Sequence, residues 1–346
     1  MVRFGDVLGG RLWGWLTARF GAKRMMVRVL ITHSILTGLF ALAGNVETVL
    51  VLRTLRGLLG GTSVVAMAAI ASIARERDLA GAFGYGQSAQ ILGGMVGPVF
   101  GAFAAPVIGF RACFVVSSIS IACAIPLALF LAWPEAEGTQ VPTLSFRGLA
   151  AIRREFGAMV LLRASLTFIG PVLPVYLMCA GVGSEDLTLY TGIVLAIGDL
   201  AFAAAVPLTS RSIPLGLMPG LLALQGGAIM AQGLFVSLPS FLALRVAQVV
   251  AHSPAPAQLF TLASAKTNEK GTTIGLISSA RFLGGAVSPV IASTANYYFG
   301  LAFSFGCMSV MSLGAAFLVW RLLTQHARNM PGTGDEGFKM RAGNAS

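Results

Sequence analysis

Charged residues are scarce in this sequence: Asp, Glu, Lys and Arg make up 11% of its 346 residues, whereas hydrophobic residues make up 56%. A soluble globular domain carries about 25% charged residues, so this composition excludes an ordinary soluble fold. Apolar runs of about 20 residues, long enough to cross a bilayer as helices, follow one another along the chain. We therefore predict an all-α polytopic membrane protein embedded in a lipid bilayer.

Cysteines are also few, and their spacing indicates neither a metal site nor a redox motif. The four of them, Cys113, Cys123, Cys179 and Cys307, fall inside apolar runs without metal-ligand or CxxC spacing. The sequence also lacks a metal-ligand cluster, a nucleophile motif and a phosphate-binding loop. We therefore expect no metal, no cofactor and no enzymatic activity.

What the sequence does contain is a succession of apolar runs that predict eleven membrane spans. Their boundaries are 4–17, 25–44, 48–73, 80–106, 111–132, 157–181, 187–208, 214–236, 238–262, 272–297 and 300–323. No cleavable signal peptide is visible, because Asp6 stands where the apolar region of such a peptide would be.

Acidic residues number 13 against 24 basic ones, which gives a net charge of +11. Such a charge can indicate nucleic-acid binding, but here the basic residues fall in alternate short connections between spans. These are Arg19, Lys23 and Arg24; Arg75 and Arg77; Arg147, Arg153 and Arg154; Arg211; Lys266 and Lys270; and, in the tail, Arg328, Lys339 and Arg341. Since Lys and Arg in short loops stay cytoplasmic, we expect no nucleic-acid partner and a cytoplasmic C-terminus.

An internal repeat organises the chain. The stretch LGGMVGPVFG, residues 92–101, returns as LGGAVSPVIA, residues 283–292, at an offset of 191 residues. With shifts of one and two residues, Arg53 matches Arg245 and Asp6 matches Asp199. Parallel repeats of this length are typical of transporters.

The repeat predicts two homologous helix bundles. We place a bundle of five spans at 1–132, a cytoplasmic linker at 133–156, a bundle of six spans at 157–323 and a cytoplasmic polar tail at 324–346. The span 157–181 has no counterpart in the first bundle, which is therefore short by one helix.

Glycines Gly93, Gly97 and Gly101 lie four residues apart and form one stripe of a helix, where small residues let another backbone approach. Pro98 should kink that helix. We expect the helix to rock at this stripe against a helix of the other bundle, and ordinary close packing is the alternative. The counterpart in the second bundle is Gly284, Ser288 and Pro289, followed by Ala292.

Three motifs carry a family resemblance. They are GWLTARFGAKR at 14–24, RTLRG at 53–57 and GGMVGPVFG at 93–101. In this order they resemble the loop motif, the helix-four motif and the antiporter motif of the major facilitator superfamily, and within it the drug:proton antiporters with twelve spans. Gly14, Arg19, Gly21, Lys23 and Arg24 fit the loop motif, Arg53 the helix-four motif, and Gly93, Gly97, Pro98 and Gly101 the antiporter motif. The chain departs from these motifs at Ala18 and Ala22, where the loop motif has an acid and an Arg, and at Arg56, which replaces Gln.

The resemblance implies a major-facilitator fold and proton-coupled export of small amphipathic compounds or drugs by alternating access. It further implies a monomer in a bacterial-type cytoplasmic membrane, with a small-molecule substrate and protons as its partners. Two alternatives stay open. A transport-incompetent remnant would explain the absent helix and loop acid, and an intramembrane aspartyl protease would use Asp6 and Asp199, each of which follows a glycine.

Ionisable residues inside spans are functional candidates, because charge is costly in a membrane. The acids in the predicted spans are Asp6 and Asp199, and Asp199, near the middle of its span, is the stronger candidate for proton coupling. Arg53 and Arg245 are candidate partner charges, and His252, beside Pro254, is a candidate titrating group. We expect the cavity lining to come from Arg56, Arg163, Arg281, Phe168, Met178, Phe202 and Gln225.

Overall fold

The computed structural model describes residues 12–131, 133, 147–266 and 270–328, and within these ranges the extended regular elements are all helices. The first bundle consists of α1 (12–20), α2 (Ala22–Leu39), α3 (Val46–Leu59), α4 (Thr62–Ile73) and α5 (Leu79–Phe130). A short helix, α6 (Arg147–Ala151), follows. The second bundle consists of α7 (Arg153–Thr167), α8 (Ile169–Cys179), α9 (Leu187–Ser212), α10 (Met218–Leu234), α11 (Leu238–His252), α12 (Pro254–Ser264), α13 (Lys270–Phe299) and α14 (Leu301–Arg328).

Eight helical segments of the described chain are long and apolar enough to cross a membrane. They are Ala22–Leu42, Val46–Ile73, Val107–Phe130, Arg153–Cys179, Leu187–Ser212, Leu215–Leu234, Gly271–Phe299 and Leu301–Gln325. Each coincides with a predicted span. Of the other three, 80–106 is helical as the first limb of α5, 238–262 is helical as α11 and α12, and 4–17 lies mostly outside the described residues.

Two glycines at the repeat offset turn the chain in the same way. Gly109 interrupts α5 with φ 82°, and Gly300, 191 residues later, separates α13 from α14 with φ 83°. A positive φ suits glycine because no Cβ opposes it. Gly109 is the residue of α5 at which the backbone angles leave the helical range.

Two equivalent spans, one in each bundle, are broken near their middle, and the first span of the second bundle is also divided, at Phe168. Between α3 and α4 the break lies at Gly60 and Gly61, and between α11 and α12 it lies at Ser253, before Pro254. The first break is accommodated by Gly61, which takes a left-handed conformation with φ 97°. At the second break, Pro254 has no backbone N–H to donate to the preceding helix. The two breaks occupy equivalent places in the repeat.

Two boundaries of the second bundle differ from those predicted. The helix that opens the second bundle starts at Arg153 rather than 157, so α6 and the first turn of α7 lie in the stretch assigned to a linker. The last helix continues to Arg328 rather than 323. The remainder of that linker and of the tail lies outside the described residues, apart from Trp133.

The two bundles touch closely at one end, through glycines. A Cβ built on Gly14 of α1 would lie 2.4 Å from the carbonyl oxygen of Gly271 of α13, and one on Gly84 of α5 would lie 3.0 Å from Ser210 Oγ of α9. Ser88 Oγ of α5 donates to the carbonyl oxygen of Ala203 at 2.5 Å. The glycine contacts lie beside the basic connections, so the bundles meet at the end of the molecule that carries positive charge.

Candidate functional site

A cavity of about 490 Å³ lies between the two bundles, and we call it the central cavity. Helix α5 contributes Gln87, Gln90, Ile91 and Gly94 to its wall. The second bundle contributes Met159, Leu162, Arg163, Leu166, Asp199, Phe202, His252, Pro256 and Arg281. This volume is within the usual range for a small-molecule site. Its wall combines charged, amide and apolar side chains, and such a mixture can orient a solute that is itself partly apolar.

The carboxylate of Asp199 is exposed to the central cavity rather than packed among side chains. Arg245 and Arg163 are the cations that act on it electrostatically. Gly198 allows Arg245 to come close, because a Cβ built there would lie 3.0 Å from Arg245 Nε. The glycine before this acid therefore serves the approach of an arginine, which accounts for it without protease chemistry.

Arg245 is 3% exposed, so it does not extend to the membrane surface. Its Nη1 donates to Gln248 Oε1 at 3.1 Å, and the same oxygen accepts from Gln232 Nε2 at 3.1 Å. Buried charge is tolerated only where it is paired and hydrogen-bonded. These amides hold the guanidinium in place beside the helix that carries Asp199.

His252 is buried at the C-terminal end of α11 and lines the central cavity. Its ring centroid lies 5.4 Å from that of Phe202. Its Nδ1 lies 3.3 Å from Gln225 Oε1, an acceptor, so Nδ1 is the donor of this contact. Gln225 in turn donates to Ser165 Oγ at 3.0 Å. The imidazole thus connects the cavity wall to a buried polar chain.

The repeat counterparts Arg53 and Arg245 stand in different surroundings. Arg53 is exposed, with its guanidinium 5.8 Å from the ring centroid of Phe40, and it lines a separate cavity with Arg56. Of the three further arginines expected in the lining, Arg163 and Arg281 face the central cavity. Asp6, the counterpart of Asp199, lies outside the described residues.

The glycine stripe of α5 is open. A Cβ built on Gly93, Gly97 or Gly101 meets no atom within 4 Å among the described residues, so the expected contact with the other bundle is not seen there. The structure describes the backbone at Pro98 but not its side chain. Gly94, next to the stripe, lines the central cavity.

The counterpart stripe on α13 packs inside its own bundle. A Cβ on Gly284 would lie 2.2 Å from the carbonyl oxygen of Val160 on α7, and Ser288 Oγ donates to the carbonyl oxygen of Ala164 at 2.6 Å. Pro289 follows within α13. These residues hold two helices of one bundle together rather than forming a contact between bundles.

The loop motif lies at the contact between bundles. Ala18, at the place of the motif's acid, packs on α13: a Cβ on Gly271 would lie 2.9 Å from Ala18 Cβ. Gly21 has φ 85°, where glycine is favoured, at the start of α2. The Arg19 guanidinium lies 5.3 Å from the centroid of Trp15. Lys23 and Arg24 are exposed.

Sequence reasoning missed the amides. Gln87 and Gln90 form most of the polar wall on α5, and Gln248 fixes Arg245. Their signal was present, because an amide inside an apolar span needs a buried partner. Of the four apolar and amide residues expected to line the cavity, Phe202 does so, and Gln225 lies behind His252. The other two do not line it: Phe168 packs against Phe305, and Met178 is 58% exposed on another part of the surface.

Comparison with known proteins identifies a family whose sequence pattern this chain matches. A sequence model described as Major Facilitator Superfamily matches residues 4–216. The chain is 23% identical over 210 residues to the multidrug resistance protein MdtG of Proteus mirabilis, covering 58% of this chain and 52% of that protein. It is 28% identical over 193 residues to the multi-drug resistance efflux pump PmrA of Streptococcus pneumoniae, covering 54% and 48%. The chain thus spans about half the length of the curated relatives it matches.

Two solved structures share the fold. The human organic anion transporter MFSD10 (TETRAN) superposes with a TM-score of 0.77 at 18% identity, over 92% of this chain and 82% of that one. The proton:xylose symporter XylE superposes with a TM-score of 0.73 at 17% identity, over 92% and 84%.

Proposed function

Because the chain belongs to the major facilitator superfamily, we propose that it is a proton-coupled secondary transporter that exports small amphipathic compounds by alternating access. The family and its fold are those of transporters rather than enzymes. Its relatives MdtG and PmrA are named for multidrug resistance and efflux, and XylE is named a proton symporter. We further propose that one copy suffices, since the central cavity is formed by helices of a single chain.

The observation that carries the proposal is a membrane carboxylate, Asp199, facing a cavity between two bundles. An ionisable group at such a place marks an ion or substrate pathway. When Asp199 is ionised, it offsets the charge of Arg245 and Arg163. When it takes up a proton, that negative partner is lost and the cavity presents more positive charge to a solute. Proton uptake and solute binding therefore influence one another through these arginines.

The closed end of the molecule indicates which state of the transport cycle the structure represents. The bundles touch at Gly14 and Gly84, beside the basic connections. If those connections are cytoplasmic, as short loops rich in Lys and Arg are, the structure corresponds to a state closed toward the cytoplasm. Loading a solute for export then requires the glycine contacts to separate, so that the central cavity becomes accessible from the cytoplasm.

The test is flux of a fluorescent amphipathic dye from proteoliposomes under an imposed pH gradient. We expect Asp199→Asn to abolish gradient-driven flux while the protein still folds, because acid and amide are nearly equal in size. The matched control is Asp186→Asn, at an exposed acid beside the start of the same helix, which should retain flux. Full flux with Asn at 199 would place proton coupling elsewhere, with His252 as the next residue to test.

The open stripe of α5 favours a second candidate, a chain that needs a further helix before it can transport. In the most apolar 18-residue stretch of Val107–Phe130, 6% of the residues are buried. In the repeat counterpart Leu301–Gln325, which packs against α7, the buried share is 44%. The same flux assay separates the candidates. Flux in the unmodified chain excludes the second. No flux, restored when an apolar helix is fused before Met1, would support it.

A further inference from the structure

A second cavity, of about 420 Å³, lies in the first bundle and is lined by basic side chains. His33 of α2 and Arg53 and Arg56 of α3 contribute to its wall, and Phe282 of α13 closes one side. Among the residues that the structure describes, no acid lines it. Arg28, five residues before His33 on α2, adds a cation near this group. A negative group in this cavity would be stabilised by these positive charges, because charge interactions are strong where water is excluded.

The break between α3 and α4 brings backbone donors to the same wall. Gly60, Gly61, Thr62 and Ser63 line the second cavity, and α4 begins there without a side-chain cap on its first N–H groups. These groups carry the positive end of the helix dipole. Half-helices that start within a membrane commonly point this end at an anionic group of a solute.

The position of each group around this break is fixed by close contacts. His33 Nδ1 lies 3.2 Å from Thr62 Oγ1, while its Nε2 faces Gly60, where a Cβ would lie 3.2 Å away. On the other side, a Cβ on Gly61 would lie 2.5 Å from the ring of Trp13. Side chains at either glycine would push the histidine or the tryptophan away. The glycines thus keep the backbone donors and the basic side chains together.

The second bundle shows what the equivalent arginine does. Arg245, the repeat counterpart of Arg53, acts on a carboxylate, that of Asp199. The equivalent place in the second bundle thus puts an arginine within electrostatic range of a carboxylate. Guanidinium groups bind carboxylate, sulfate and phosphate oxygens through paired, charge-assisted hydrogen bonds, which are stronger in a site of low dielectric.

We propose that the second cavity, between α2, α3, α4 and Phe282, binds a small solute through an oxyanion group held by Arg53, Arg56, His33 and the first turn of α4. The shared chemistry is that of carboxylate, sulfate and phosphate. Phe282 offers an apolar surface to the remainder of an organic anion. The site is separate from Asp199, and its occupancy can be measured without transport, so the inference does not rest on the proposed function.

Trp13 provides the readout, since its ring packs against Gly61 and lies 4.0 Å from the Arg28 guanidinium. The purified chain in detergent is titrated with sodium sulfate and with sodium benzoate while chloride keeps the ionic strength constant. We expect a saturable change in tryptophan fluorescence that is absent in Trp13→Phe. Saturation by benzoate but not sulfate identifies an organic carboxylate, and the reverse identifies an inorganic or esterified oxyanion.

The deciding variant is Arg56→Gln, which installs the residue that the resembling motif has at this place. We expect at least about tenfold weaker binding, because one charge-assisted hydrogen-bonding group is lost. Arg153→Gln removes the same charge at the exposed start of α7 and should bind like the parent. If Arg56→Gln does not fold, Arg53→Gln and the anion-induced rise in melting temperature replace it. A parent chain without saturable binding, or equal weakening by Arg153→Gln, overturns the proposal.

Discussion

The two glycine stripes allow a comparison of one substitution at two equivalent positions. At Gly284 a Cβ would lie 2.2 Å from the carbonyl oxygen of Val160 and 3.1 Å from the backbone nitrogen of Ala164. Normal contact begins near 3.4 Å, so Gly284→Ala requires α7 and α13 to separate by about 1 Å. Overpacking of this kind costs about 1–3 kcal/mol. At Gly97 the same methyl group meets no described atom within 4 Å, so we expect no loss of stability there.

The assay is thermal unfolding in detergent, followed by the fraction of protein that remains monodisperse after heating. Gly284→Ala should lower the midpoint clearly, and Gly97→Ala should leave it near that of the parent chain. The pair controls for the change in helix propensity, because both glycines lie inside long helices and gain the same methyl group. Equal loss at both positions would refute the reasoning, since it would mean that the stripe of α5 is covered as tightly as that of α13.

Three further predictions concern single contacts and topology. Ser288→Ala should cost about 1 kcal/mol in the same assay, because it leaves a buried carbonyl oxygen without its hydroxyl donor, and an unchanged midpoint would contradict this. Lys266→Gln should cost about 2 kcal/mol, because Lys266 Nζ lies 2.6 Å from the 1% exposed carboxylate of Glu155, and Glu155→Gln combined with it should recover part of the loss. A reporter active only in the cytoplasm should work after Arg328 and fail within 182–186, and the opposite pattern would reverse the orientation.

The sequence by itself was sufficient to determine the architecture along the chain. Apolar runs of about 20 residues leave helices as the ready way to pair backbone groups in lipid, so the spans followed from hydropathy. Gly109 and Gly300, and the breaks before Thr62 and Pro254, sit where local backbone chemistry interrupts a helix. The repeat could be detected because Gly93, Gly94 and Pro98 recur as Gly284, Gly285 and Pro289 at the same offset. The domain limits and the roles of the site residues stay predictions.

Only the tertiary structure decided which face of each helix packs in its own bundle, lines a cavity or faces the lipid. In lipid, the outward side of a helix is as apolar as the packed side, so hydropathy does not distinguish them. For this reason, the sequence could pair Arg53 with Arg245 but not show that Arg245 is held beside Asp199 while Arg53 borders a separate cavity. Likewise, it showed that Gly97 and Ser288 are equivalent, yet only packing revealed that Ser288 bonds to α7 of its own bundle. Facing depends on contacts between segments distant in sequence, which no local pattern records.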